Sequence, residues 1–233
     1  MPAKKTAVAG DDPQPKKAVA AAAPTPDVVR IQRIQVERVL IPIEGTAPLI
    51  SHRFDEKARR QMLEKQTARK ALREVRKPQE EYEACLYRMA LADGGECYGF
   101  PASAFRKATI GAARFYDKSV SMTGLRQLFM TKGVITKADP LALVELEGEP
   151  ELREDTVRLP NGNAEVRFRG EFEEWGAVLD VEYVASSIDR DSLLSLVAAG
   201  GRFVGVGDWR PERTGQFGTY RIDGEVEVVE ATE

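Results

Sequence analysis

Apolar residues alternate at Val39, Ile41 and Ile43, with apolar side chains on both faces nearby, so ordered structure begins near Val28 and a central strand is expected. Pro42 lacks an amide hydrogen and predicts a bulge or strand end at that point. Gly45-Thr46-Ala47-Pro48 interrupts the pattern before Leu49-Ile50. From Asp55 the period changes. Asp55/Arg59 and Glu56/Arg60 are helix-stabilising pairs, and Ala68, Ala71, Leu72 and Val75 make a thin apolar stripe that Pro78 stops. Tyr82 to Leu91 reads as a further short helix closed by Gly94-Gly95. Pro101 and Ser103 suit a helix start. Phe105, Ala108, Ala112 and Phe115 then give a core-facing stripe, and Lys107, Gly111, Arg114 and Lys118 line another face.

Thr123–Met130 predicts one more short helix, and Val134 to Arg169 reads as extended segments joined by turns. Asn161-Gly162 is a strong hairpin signal. Val166, Phe168, Gly170 and Phe172 alternate against Glu165, Arg167, Arg169 and Glu171, which buries one face. Leu179, Val181 and Tyr183 form the next strand. Asp189 or Ser187 caps a helix carrying Leu193, Leu196 and Val197, and the last strands are Thr219–Ile222 and Glu225–Val229. Without the insertions at about 51–97 and 136–163, the order is strand, helix, strand, strand, helix, strand. That is the order of an α+β ferredoxin-like (RRM-like) core, here with a helical insertion and a β-hairpin insertion in one domain over 28–233.

Residues 1–27 are Ala/Pro/Lys-rich and too poor in large apolar groups to offset chain entropy, so they read as a disordered tail. No apolar run approaches the length that spans a bilayer, and the N-terminal stretch is no signal peptide, so the chain reads as cytoplasmic. Two cysteines and a single histidine, His52, make neither a disulfide framework nor a zinc site. No cofactor is expected. The 233 residues carry a formal net charge of -3, which argues mildly against a polyanionic partner. The charges are segregated, however: His52–Lys77 and Phe100–Lys137 are basic, whereas Asp139–Glu182 is acidic.

Most chemistry is concentrated in Gly200–Gly218, GGRFVGVGDWRPERTGQFG. Gly200 is placed to end the preceding helix in a left-handed conformation. Arg202, Arg210 and Arg213 lie among Phe203, Trp209 and Phe217, and amides without shielding side chains suit a phosphate-and-base chain. The expected nucleic-acid site comprises His52, Arg53, Lys107, Arg114, Lys118, Gly201, Arg202, Gly205, Gly207, Trp209 and Arg213. Amides near Gly200–Gly207 would cradle phosphates, and Trp209 or Phe217 would stack on bases.

The segment FPASAFRKATIGAAR resembles the "I-P-x-S-S-x-K-G-x-x-R" segment of the RAMP proteins, specifically the Cas7-like backbone subunits of CRISPR complexes, through Phe100, Pro101, Ser103, Arg106 or Lys107, and Arg114. The glycine-rich stretch resembles the loop that follows the second helix in that family. A member from a phage or mobile element fits equally. The resemblance implies non-catalytic binding of single-stranded RNA or DNA, head-to-tail self-association along the strand, other subunits of a ribonucleoprotein as partners, and a thumb-like hairpin near Thr136–Asn163. Two rivals stand beside it. One is a structural or assembly protein without nucleic acid; the other is an RNA nuclease using a thumb aspartate, Asp139 or Asp155.

Overall fold

The computed structural model describes residues 33–53, 77–90, 94–117, 121–136, 140–158 and 162–229. The expected tail at 1–27, the charged helix at Asp55–Val75, and Lys118 and Asp139 lie outside them. Strand β1 (Val36–Gly45) is central, with Val39, Ile41 and Ile43 buried on one side as their alternation predicts. Its neighbours are β9 (Gly176–Val184) along its whole length, then β10 (Tyr220–Ile222) and β11 (Glu227–Val229) end to end on the other side. Strand β5 (Phe129–Thr131) pairs with the far edge of β9, and every pairing is antiparallel. The order across the sheet is β10-β1-β9-β5.

Pro42 neither bulges nor ends β1. Its carbonyl accepts from the amide of Asp223, so its own missing N–H points the same way, into the gap between β10 and β11. The proline stands where the edge strand is broken and no donor is required.

Helix α2 (Ala102–Gly111) connects β1's half of the sheet to β5, and α4 (Arg190–Ala199) connects β9 to β10. Both pack on the buried face. Phe105 is fully buried there, 5.9 Å from Phe100, 5.9 Å from Tyr220 and 6.5 Å from Trp175 between ring centroids. Truncating such a ring to alanine costs about 3–5 kcal/mol. Asp189 caps α4 by accepting from the Ser192 amide; Ser103 does not cap α2, because that helix already begins at Ala102 with Pro101 in the cap position.

Two smaller antiparallel sheets flank this one. Strands β3 (Tyr87–Ala90), β4 (Glu96–Pro101) and β6 (Leu143–Leu146) form one, with β4 leading straight into α2. Strands β2 (Leu49–Ser51), β8 (Ala164–Phe172) and β7 (Pro150–Arg158) form the other. The expected Tyr82–Leu91 helix is corrected to α1 (Pro78–Ala84) followed by β3. Met89 is buried between exposed Arg88 and Ala90, so the period there is two, not 3.6. Likewise Thr123–Met130 divides into α3 (Met122–Leu128) and β5. The hairpin is β7–β8, spanning 150–172 rather than 136–163, so Gly162 stands between its two strands and not near its far boundary.

Candidate nucleic-acid interface

The glycine-rich stretch does not have the shape expected of it. Gly200 has φ -61 and does not terminate α4. The helix instead widens into a π turn, Gly200–Val204, closed by Gly205 N–H donating to the Gly200 carbonyl at 2.9 Å, and Gly205 at φ 69 is the left-handed stop. A Cβ on Gly200 would meet the Ala108 carbonyl at 2.8 Å, and one on Gly201 would meet the Tyr220 carbonyl at 2.3 Å. These glycines admit backbone, and the backbone they admit is the protein's own.

The amides tell the same story. Val206 donates to Gly218, Gly218 to Pro48, and Asp208 to Ile50. The amides of Gly205, Val206, Asp208 and Gly218 are therefore engaged with carbonyls, and a phosphate cradle built from them is excluded. Gly201 and Gly205 are buried, and a Cβ on Gly207 would lie 2.6 Å from the Ile50 carbonyl. These three expected site residues are packing positions by geometry.

The remaining expected residues fall into two groups. His52 Nδ1 lies 3.0 Å from Asp208 Oδ2, and Asp208 also faces Arg169 Nε at 3.3 Å. Burial pushes the Asp208 carboxyl up, but the His52 hydrogen bond and the charges of His52 and Arg169 prevail and hold it below its ordinary value. Arg169 is 1% exposed on the hairpin and also donates to Asp155 at 2.9 Å. Asp155 accepts in addition from Arg153, so both of its oxygens face guanidinium groups. Arg169 lies 5.4 Å from the centre of the Trp209 ring, and Arg153 lies 4.8 Å from that of Phe217. Two rings of the loop thus rest on two arginines of the hairpin, with Asp155 between. Trp209 has φ 52 and stays 40% exposed. Arg53 lies over Tyr87, away from this ladder.

The second group surrounds the end of α2. After Gly111 the helix tightens to a 3-10 turn, Ala112–Phe115. Three residues per turn instead of 3.6 rotate Phe115 off the stripe begun by Phe105, Ala108 and Ala112. Those three are buried, whereas Phe115 is 51% exposed, which corrects the expected core assignment. It meets Phe203 of the π turn at 5.2 Å, and Phe203 is 50% exposed with the Arg202 guanidinium 5.5 Å from its ring centre. Lys107 is exposed one turn before Gly111 on the same helix face. Arg114 is tied down: it donates to the Gly111 carbonyl and to Glu212, which also accepts from Arg210, and Arg210 in turn donates to the Gly207 carbonyl. This chain links the two groups. Burial raises the Glu212 carboxyl, yet the hydrogen bonds from Arg210 and Arg114 hold it below its usual range. Arg213 is exposed on the short turn Pro211–Arg213.

The open face of the large sheet offers no comparable surface. Arg38 pairs with Asp180 at 2.7 Å, Lys132 with Glu182 and Arg221 with Glu44, and Val36, Met130 and Val178 are large exposed apolar groups beside them. Tyr183, Tyr220 and Phe129 all point into the core instead, so base stacking on the sheet has no ring to use.

Neither a family model nor a curated protein matches the chain. Among solved structures it is similar to the crystal structure of Cmr6 from Pyrococcus furiosus, at 12% identity and a TM-score of 0.36, over 82% of this chain and 100% of that one. A likeness at that TM-score says nothing about the residues of a site. Among the described residues no helix is long and apolar enough to cross a membrane, and no cluster of three His, Cys, Asp or Glu side chains could hold a metal.

Proposed function

We propose that the chain binds single-stranded nucleic acid, without turning it over, along a path from the end of α2 across the π turn to Trp209. The observation that carries this is the pair Phe115 and Phe203: two phenylalanines in mutual contact, each half exposed, with a guanidinium on one of them. Each ring leaves apolar area in water that a core position would bury. Rings beside cations suit unpaired bases on an anionic backbone, at about 1–3 kcal/mol per stacked base. The binding atoms are side chains, not amides: Lys107, Arg202 and Arg213 for phosphates, and Phe203, Phe115 and Trp209 for bases. We read the β10-β1-β9-β5 sheet with α2 and α4 as a ferredoxin-like core, consistent with the RAMP-like motif that opens α2. Asp155, the described carboxylate that a nuclease would use, is held by Arg153 and Arg169.

The test is anisotropy of a fluorescent single-stranded oligonucleotide titrated at several salt concentrations. Binding should weaken with a log–log slope of about -0.7 per phosphate neutralised. Phe203→Ala should weaken binding about tenfold with the slope unchanged. No binding at low salt, or a flat salt response, refutes the reading.

A further inference from the structure

Beside the Phe115–Phe203 pair the surface dips into a groove of about 530 Å³ between α3 and the start of α4. Resting on the nucleic-acid reading, we infer that this groove receives one base of the bound strand and selects bases that carry an exocyclic amino group. Three observations lead there.

The groove is continuous with the proposed path. Tyr116, the residue after Phe115, forms part of its wall and donates from its hydroxyl to the Ser195 carbonyl at 3.0 Å, which fixes the ring against α4. A strand stacked on Phe115 therefore passes the mouth. The floor is apolar, made by Leu125, Leu128, Ile188 and Leu196, and the volume exceeds what one base needs, so a flat ring can enter.

The polar groups at the rim have a sign. They are hydroxyls, such as Ser187 and Ser195, and the carboxylates Asp189 and Asp191; among the described residues no lysine or arginine lines the groove. A carboxylate repels phosphate and accepts from N–H donors. Asp189 is already engaged, its oxygens accepting from the Ser192 amide and hydroxyl. Asp191 is the remaining carboxylate. The amino group of cytosine or adenine donates to it, as carboxylates do with cytosine in base readout. Uracil offers a single N–H flanked by two carbonyl oxygens, which face the carboxylate unfavourably. The phosphates remain outside on the cationic side chains, and the neutral base alone enters the acidic groove.

Cytosine and uracil have the same ring size, so homopolymers of about 12 nucleotides in C and in U isolate this contact. Oligo-C should bind the intact protein about tenfold more tightly than oligo-U at equal salt. Asp191→Asn, which replaces an acceptor by a group able to donate to a uracil oxygen, should bring the two within about twofold, largely by strengthening oligo-U. Equal affinities in the unaltered protein, or a C preference that survives Asp191→Asn, overturn the inference while leaving the nucleic-acid reading standing. Failure of both oligonucleotides to bind removes that reading and the pocket with it. Sedimentation of the free protein adds a separate arm. If Leu128→Asp changes the sedimentation coefficient but not the C-over-U ratio, the groove is a protein contact and the inference fails.

Discussion

Replacing Gly218 by alanine tests whether the glycine-rich stretch packs the protein or binds a ligand. Gly218 is buried at φ 65, and a Cβ there would sit 1.7 Å from the Val206 carbonyl oxygen. The obstacle is backbone, so no rotamer change relieves it. Left-handed φ costs a residue with a side chain roughly 1–2 kcal/mol. Pushing Val206 away also weakens its hydrogen bond to Gly218, which adds about 1 kcal/mol, and the expected loss is about 2–3 kcal/mol. Gly162 is the control, because it has φ 84 with nothing within 4 Å of an added Cβ. Gly162→Ala should show the φ term alone, about 1–2 kcal/mol. Urea unfolding at constant m measures both, and anisotropy on the folded variants measures affinity. Gly218→Ala should lower the urea midpoint clearly more than Gly162→Ala, with oligonucleotide affinity unchanged. An unmoved midpoint with affinity lost tenfold would refute the packing argument and restore the amides as ligands of phosphate.

Arg169→Leu removes a buried guanidinium from between buried Asp155 and partly exposed Asp208 and should cost about 3–5 kcal/mol in urea unfolding, since it takes a partner from a buried carboxylate; a loss under about 1 kcal/mol would mean that Arg153 and His52 suffice. Lys107→Ala with Arg202→Ala should reduce the salt slope by about 1.4 with the urea midpoint nearly unmoved. Arg114→Ala should change the slope less, because Glu212 already engages that guanidinium. Burial, helped by a hydrogen bond to Glu37, raises the Tyr183 phenol to about 12, and burial raises Tyr220 further. Both folded values lie above the ordinary phenol value of about 10, so their contribution to stability is complete below about pH 10 and is lost as pH climbs from there through about 12. Urea midpoints between about pH 9 and 11.5 should fall, and a flat profile contradicts the assignment.

The strands of the large sheet were legible because burial there follows a strict alternation that a sequence displays. Ile41 and Val181 announce their face unaided. What was illegible depended on partners distant in the chain. Pro42 signals a fault in its own strand, and only the break between β10 and β11 shows where the missing donor falls. Arg169 belongs to a run of alternating charges that reads as solvent-facing. It is buried because the loop at Asp208 and Trp209 lies on that side of the hairpin, a contact between segments about 40 residues apart. Phe115 fits the apolar stripe of its helix to the residue, and a change from 3.6 to three residues per turn moves it into water. The glycines were visible, but their reason was not: composition shows that backbone approaches closely there, and not whose backbone.

A chain with net charge -3 holds a polyanion best where the carboxylates that face its phosphates are already neutralised. Along the loop they are. Asp208 faces His52 and Arg169, Glu212 faces Arg114 and Arg210, and Asp155 faces Arg153 and Arg169. On the open sheet face Asp180, Glu182 and Glu44 have Arg38, Lys132 and Arg221. A phosphate near Arg202 or Lys107 therefore meets local positive charge, while the excess acid lies elsewhere and acts over distance. Distance is where salt has most effect, since screening extends over about 8 Å at physiological ionic strength. Long-range steering is consequently weak, and association should be governed by the docking of rings and cations at close range. The on-rate should stay near the unsteered value of about 10⁵–10⁶ M⁻¹s⁻¹ and respond little to salt. The salt dependence of affinity should then reside in dissociation, which stopped-flow release of a labelled strand measures directly.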